Sequence, residues 1–301
     1  MIRLAIGSDY HLEVERDWLR QIAEALGRKD DSRLYAVLER YRERDALITH
    51  PRLGPDLHDL ADIDLYLLAG DIDKGTAAVE HAAEAAAFLH APVVLVPGNH
   101  EFYGWDMENT LADMRAMAAS TKGRLSVLDM ERRDFLIRDR KLIVLGATLW
   151  TDYALLGDDI DSLRAAMQEA EHRLNDHNYI LLRGRRFTAA DAHRLHEQAL
   201  SWLDGALAQA VQEDAVVVVV THHAPTGEAN PPQYRNGELS PAFASDLSAL
   251  ISRHQPPLWI CGHTHHSFET AIGNCRIIGS MRGYCGLEPS AETFIPRVIT
   301  I

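Results

Sequence analysis

The stretch Val93-Val-Leu-Val-Pro-Gly-Asn-His-Glu101 decides how this chain is read. Val93 to Val96 are β-branched or leucine and show no alternation, as in a strand covered on both faces of a parallel sheet. Pro97 cannot continue a hydrogen-bond ladder, and Gly98 permits a tight turn or a close backbone approach. Asn99 and His100 then stand at the strand's carboxyl end, the edge where open α/β sheets place their ligands. Asn offers a neutral oxygen to a cation, and His offers a nitrogen ligand or a proton near neutral pH. Taken alone, the stretch would equally suit a turn with a helix-capping histidine. What shares the edge with it settles the choice.

Working outward, four more apolar runs end the same way. Ile2 to Gly7 leads into Ser8, Asp9, Tyr10 and His11; Asp64 to Gly70 leads into Asp71; Val216 to Val220 into Thr221, His222 and His223; and Leu258 to Cys261 into Gly262, His263, Thr264 and His265. The alanine-rich segment Thr76 to His90 is a good helix former between the second and third runs, which makes a right-handed β-α-β unit. An isolated D-x-H or H-x-H is usually structural. Five such endings in chain order, each at a strand exit, point to one cation-binding edge. His222 and His223 compete for one role there; His222 is nearer the strand end, and His223 faces the opposite side if extended geometry persists.

With 301 residues and 47% hydrophobic content the chain can bury one sizeable core. The expectation is a single domain over 1–301, with a helical insertion at about 12–59 and a helical segment at about 158–212. Thirty Lys and Arg against 44 Asp and Glu give a net charge of −14, a poor match to long nucleic acid. No apolar run is long enough for a membrane span and the amino terminus is too short in apolar residues for a signal peptide, so a cytoplasmic protein is expected. Cys261, Cys275 and Cys285 are odd in number and form no C-x-x-C pair, which suggests neither a disulfide framework nor a thiolate zinc site.

Within the insertion, Trp18, Ile22 and Leu26, then Leu34, Val37, Leu38 and Tyr41, recur at helical spacing and predict two helices split near Gly27 to Ser32. Arg40, Arg42, Glu43 and Arg44 read as a solvated face, with a lid or a homodimer contact as the alternative. Leu125 to Leu128, Phe135 to Arg138 and Lys141 to Ala147 predict strands entering antiparallel pairing. Thr188-Ala-Ala-Asp191 resembles a capping box, and Ser240-Pro241 predicts the start of a helix reaching about Ser252. Between the helices of the later segment, Asn175 to Phe187 carries Arg183, Arg185 and Arg186, whose guanidinium forks would suit a substrate phosphate. Arg282 and Tyr284 follow the last motif closely enough to touch substrate or to pack its loop. Glu101 reads as a residue that orients neighbours or caps a helix.

In order along the chain stand D-x-H (Asp9, His11), G-D (Gly70, Asp71), G-N-H-E (Gly98 to Glu101), a strand-end His and G-H-x-H (Gly262 to His265). The chain therefore resembles the calcineurin-like metallophosphoesterase superfamily, from Ile2 to about Ile278 apart from the helical stretch after His11. Ser8 to Glu13, Gly98 to Gly104 and Thr221 to Pro225 are further similar to a bacterial branch of unassigned phosphoesterases, which implies no substrate. The resemblance implies an α/β fold of two packed mixed β-sheets sandwiched between helical layers, a four-layer arrangement with the site at the strand ends. It also implies a two-metal centre. Asp9, His11 and His265 would hold one ion and Asn99, His222 and His263 the other; Asp71 would bridge them and His100 would stay unligated beside the substrate.

Phosphoryl transfer asks for such a set: a nucleophile at neutral pH, neutralised phosphate oxygens and a proton for the leaving group. Imidazole, carboxylate and amide ligands without thiolate favour manganese, iron or zinc. The function expected is hydrolysis of a phosphate monoester or diester of a small substrate by a metal-bridging hydroxide, with His100 assisting the leaving group. A nuclease acting on short nucleic acid and a non-catalytic metal-binding scaffold are the alternatives.

Overall fold

Alternation along the strands sorts the apolar residues into stacked cores. The computed structural model describes residues 1–28, 54–60 and 62–301. In the first sheet β1 (Arg3–Gly7), β2 (Leu65–Leu68), β3 (Val93–Leu95) and β4 (Leu125–Val127) run parallel, and β13 (Arg297–Thr300) lies antiparallel against β1. The second has the order β11 (Phe268–Ile272), β12 (Cys275–Gly279), β10 (Leu258–Cys261), β9 (Val216–Thr221), β6 (Arg140–Ala147), β5 (Glu131–Ile137). Its four inner strands are parallel and its two edge strands antiparallel. A small separate hairpin pairs β7 (Leu181–Leu182) with β8 (Arg185–Arg186).

Leu4, Ile6, Leu67 and Val94 point from the first sheet onto Val144, Val218, Val220 and Ile260 of the second, so the sheets pack face to face. The alternate residues Ala5, Tyr66, Leu68 and Leu95 face the helices Thr76–Leu89 and Met107–Ser120. On the other side Val217, Val219, Trp259 and Ile277 face the helices Ala189–Ala210 and Ser248–His254. The result is the four-layer sandwich of two mixed sheets between helices. Each fully buried aliphatic side chain in it stabilises the fold by about 1.5–3 kcal/mol. Because β1, β2 and β3 are parallel, as are β9 and β10, each sheet brings its carboxyl ends to one edge.

Several local expectations change. β4 does not open an antiparallel stretch; Leu125 to Val127 pair parallel with β3, and antiparallel pairing begins with β5 and β6. The helix expected from Ser240 to about Ser252 is interrupted. A 3-10 turn at Ser240–Ala242 gives way to backbone that docks on the segment after β9, with Ser245 donating to the Ala224 carbonyl and Leu247 to that of Pro225, and helix resumes at Ser248. Asn175 to Phe187, between the helices, holds the turn Asp176–Tyr179 and the β7-β8 hairpin. The capping box at Thr188 and Asp191 is present. The first helix of the insertion spans Leu12–Arg28, whereas the second, through Leu34 and Tyr41, lies outside the described residues. No helix among the described residues is long and apolar enough to cross a membrane.

Candidate metal centre

The strand exits converge because each sheet ends at the same level and the turns after the strands bond across. Ser8 donates its N–H to the Ser280 carbonyl, Asp9 to that of Gly70, and Gly262 to that of His222. Asp9, His11, Asp71, His263 and His265 all have positive φ, from 46° to 76°, a region that costs non-glycine residues about 1–3 kcal/mol each. Hydrogen bonds hold them there. The His11 N–H reaches the Asp71 carbonyl at 3.0 Å, the His263 N–H reaches Asp9 Oδ1 at 2.9 Å, and the His100 N–H reaches Asp71 Oδ1 at 2.9 Å.

Two glycines are required by close approach. A Cβ on Gly98 would stand 2.2 Å from Asp71 Oδ1, and one on Gly70 would stand 2.5 Å from His222 Nδ1. Glu101 is fully buried and accepts the N–H groups of Asp71, Ile72 and Gly98 at 3.0, 2.8 and 2.6 Å, which ties the exits of β2 and β3 together. It orients neighbours, one of the two roles its sequence position suggested.

Three clusters of donors result: Asp9 with His11 and His265, His11 with Asp71 and His100, and Asp71 with His222 and His263. His11 Nε2 and His265 Nε2 face each other at 2.8 Å, and His222 Nε2 lies 3.1 Å from His263 Nδ1 and 2.9 Å from Asn99 Oδ1. Asp71 stands between the sets. Its Oδ1 is 3.4 Å from His222 Nε2, and its Oδ2 is 3.9 Å from His11 Nε2 and from His100 Nε2.

The donor set fits divalent ions. A carbonyl and an ionised carboxylate can only accept, so His222 Nδ1, 2.8 Å from the Ala69 carbonyl, and His265 Nδ1, 2.7 Å from Glu288, carry protons. When neutral, both rings turn an Nε2 lone pair inward, the tautomer a metal ligand needs. The Asn99 amide donates from Nδ2 to Asp176 at 2.8 Å, which leaves Oδ1 facing the same space. With those rings neutral, lone pairs of imidazole, amide and carboxylate converge on one space, an arrangement that calls for positive charge.

The proton equilibria say the same. Burial opposes ionisation of Asp71, but His222 and His100 beside it hold its carboxyl well below the usual range. Burial likewise lowers His222, yet Asp71 lifts it to about 9. Burial and the neighbouring His100 push His11 down to about 4, and burial with His223 pushes His263 well below the ordinary histidine value. Burial lowers His100 while Asp71 and a 2.7 Å hydrogen bond from its Nδ1 to Glu13 raise it to about 9.

Of the residues singled out in the sequence, Asp9, His11, Asp71, Asn99, His100, His222, His263 and His265 come together. His223 does not join them through a ring nitrogen: its Nδ1 is 3.2 Å from the Thr148 carbonyl while its ring packs on that of His263 at 4.2 Å. Tyr284 is at the site, with its ring 4.4 Å from that of His11 and its hydroxyl 3.4 Å from His100 Nε2. Arg282 has the packing role. It is 5% exposed and grips Glu15 with both Nη atoms, at 2.7 and 3.0 Å. Arg183 reaches Glu108 at 2.9 Å and Arg185 reaches Asp191 at 2.6 and 2.7 Å, so those forks are engaged by carboxylates, and Arg186 is exposed. Sequence reasoning missed Glu13, Tyr103, Asp176 and Glu288, which hold the inner residues from behind.

The solved structure of phosphopantetheinyl hydrolase from Mycobacterium tuberculosis shares this fold, with 18% identity over 98% of this chain and 95% of that chain and a TM-score of 0.61. A dimetal phosphatase from Danio rerio is similar over 96% of this chain and 89% of its own, with 16% identity and a TM-score of 0.49. No curated protein matches the sequence. The family model described as calcineurin-like phosphoesterase matches residues 2–267, a span that takes in every one of the eight converging residues. With that match over nearly the whole sequence and the donor clusters at the strand ends, the chain belongs to the calcineurin-like phosphoesterase family.

Proposed function

We propose that this protein hydrolyses a phosphate monoester or diester of a small substrate at a two-metal centre. Asp9, His11 and His265 hold one ion, Asn99, His222 and His263 the other, and Asp71 is shared. The observation that carries this reading is the division of the Asp71 carboxylate, one oxygen 3.4 Å from His222 and the other 3.9 Å from His11. Two ions held there supply a nucleophile at neutral pH and neutralise the phosphate oxygens. The mixture of imidazole, amide and carboxylate suits manganese, iron or zinc.

The remaining chemistry belongs to His100. Glu13 engages its Nδ1, so the ring presents Nε2 toward the space beside Asp71. A proton at Nε2 is in place for the leaving oxygen. The Tyr284 hydroxyl, 3.4 Å from that nitrogen, is a second donor within reach of a bound phosphate. A net charge of −14 disfavours long nucleic acid and favours a small substrate over it.

The test is hydrolysis of p-nitrophenyl phosphate and bis-p-nitrophenyl phosphate by metal-stripped protein, with manganese, iron, zinc or nickel added back singly. Metal-restored turnover is expected, and the ratio of the two rates gives the ester class. No turnover with any metal, despite two ions bound, would leave a scaffold as the better reading.

A further inference from the structure

The segment Asn175 to Phe187 matters for its acid more than for its arginines. Asp176 opens the helical turn Asp176–Tyr179 and is 5% exposed. Its Oδ1 accepts from Asn99 Nδ2 at 2.8 Å and from the Tyr103 hydroxyl at 2.5 Å, and Asn99 Nδ2 also donates to that hydroxyl at 3.1 Å. The Tyr103 ring stacks on His100 with centroids 4.2 Å apart. The turn is tied to the main body by backbone bonds, Gly104 donating to the Tyr179 carbonyl and Leu181 to that of Trp105. A helical segment outside every strand-end motif thus places one buried carboxylate directly behind Asn99.

An amide ligand has a weakness that imidazole and carboxylate lack. Rotated by half a turn, it presents N–H groups to a cation in place of oxygen. Asp176 blocks that rotation, because the flipped amide would set its oxygen against a carboxylate. A charge-assisted bond to the amide nitrogen also draws electron density toward the oxygen and makes it a better donor. We infer that Asp176 is a positioning residue for the half of the site formed by Asn99, His222 and His263, locking the Asn99 oxygen toward the ion and so setting that half's affinity. This rests on the two-metal reading above, which names the ligands but no residue behind Asn99.

The test is calorimetric titration of metal-free protein with manganese, paired with electron paramagnetic resonance of the spin-coupled pair. Wild-type protein should take two ions. In Asp176→Ala one of the two ions should bind roughly 10- to 100-fold less tightly, the typical effect of losing a partner behind a ligand, while the other is held within about threefold. The coupled signal should then need a correspondingly higher manganese concentration. Asp176→Asn can still accept from Asn99 and should show a smaller loss of the same ion. A general loosening of the fold would weaken both ions and lower the melting temperature without this split. Both affinities unchanged in Asp176→Ala would overturn the inference, and if that variant does not fold, both affinities unchanged in Asp176→Asn would do so. Fewer than two ions in the wild type would sink the two-metal reading instead.

Discussion

The two halves of the site are anchored by different chemistry. Around Asp9, His11 and His265 the backing is ionic: Glu288 accepts a hydrogen bond from His265 Nδ1 at 2.7 Å, and Glu13, which burial would raise, is held down to about 2 by its bond to His100 and the nearby His11 ring and stands behind those rings. Around Asn99, His222 and His263 the backing is mostly neutral. The Ala69 carbonyl orients His222, the rings of His223 and Phe243 flank His263 at 4.2 and 4.8 Å, and Asp176 supplies the carboxylate behind Asn99. One half is therefore backed by carboxylates behind its imidazoles, the other by a carbonyl, packed rings and a single carboxylate behind its amide, and variants on the two sides should fail in different ways.

Asp71 belongs to both halves, so Asp71→Ala should produce the largest effect. Each half loses the anionic oxygen that Asp71 turns toward it, and bound metal and activity should fall together, the rate by roughly a thousandfold or more. Elemental analysis beside steady-state kinetics checks this. A variant that keeps two ions and its turnover would remove Asp71 from the shared position.

His100 belongs to neither half, and its loss should separate chemistry from metal binding. His100→Asn should retain both ions and lower kcat by roughly 100-fold or more, the range for a lost general acid. Wild-type kcat in that variant would remove His100 from the mechanism.

Glu288→Gln probes the ionic half alone. The glutamine oxygen can still accept from His265 Nδ1, but the charge is gone, and the ion on that side should bind roughly tenfold less tightly while its partner is held as before. Equal weakening of both ions would erase the distinction between the halves.

The strand exits could be read in sequence because each is local: an apolar run and its following residues are neighbours in the chain, and the alternation that fills the cores is a period of two. The residues behind the site could not be read that way. Glu13 is 87 residues from His100, Asp176 is 77 from Asn99 and Glu288 is 23 from His265. Before folding, each is one acid among 44 Asp and Glu, and even Glu13, two residues after His11, carries no local sign that it bonds His100. The arginines mislead for the complementary reason. A guanidinium suits a phosphate and a neighbouring carboxylate alike, and only the fold shows Glu15, Glu108 and Asp191 in place to engage them. Ser240-Pro241 carries a sound helix-start signal that long-range bonds to Ala224 and Pro225 override.

The smallest effect should come from His223, and it tests most directly how the neutral half works. His222 and His223 are adjacent and both fully or almost fully buried, yet only His222 turns a ring nitrogen into the donor cluster. Burial and the neighbouring His222 push His223 well below the usual histidine value, so it is a neutral ring bonded to the Thr148 carbonyl and packed on Trp150 and His263. His223→Leu keeps much of that volume and removes one hydrogen bond, leaving the carbonyl acceptor without it. The cost should be about 1–2 kcal/mol of stability, measured by denaturant unfolding, with both ions retained and the rate changed by less than about threefold. Loss of an ion in this variant, with His222→Leu retaining it, would reverse the assignment of the pair and make the ring behind His263 the ligand.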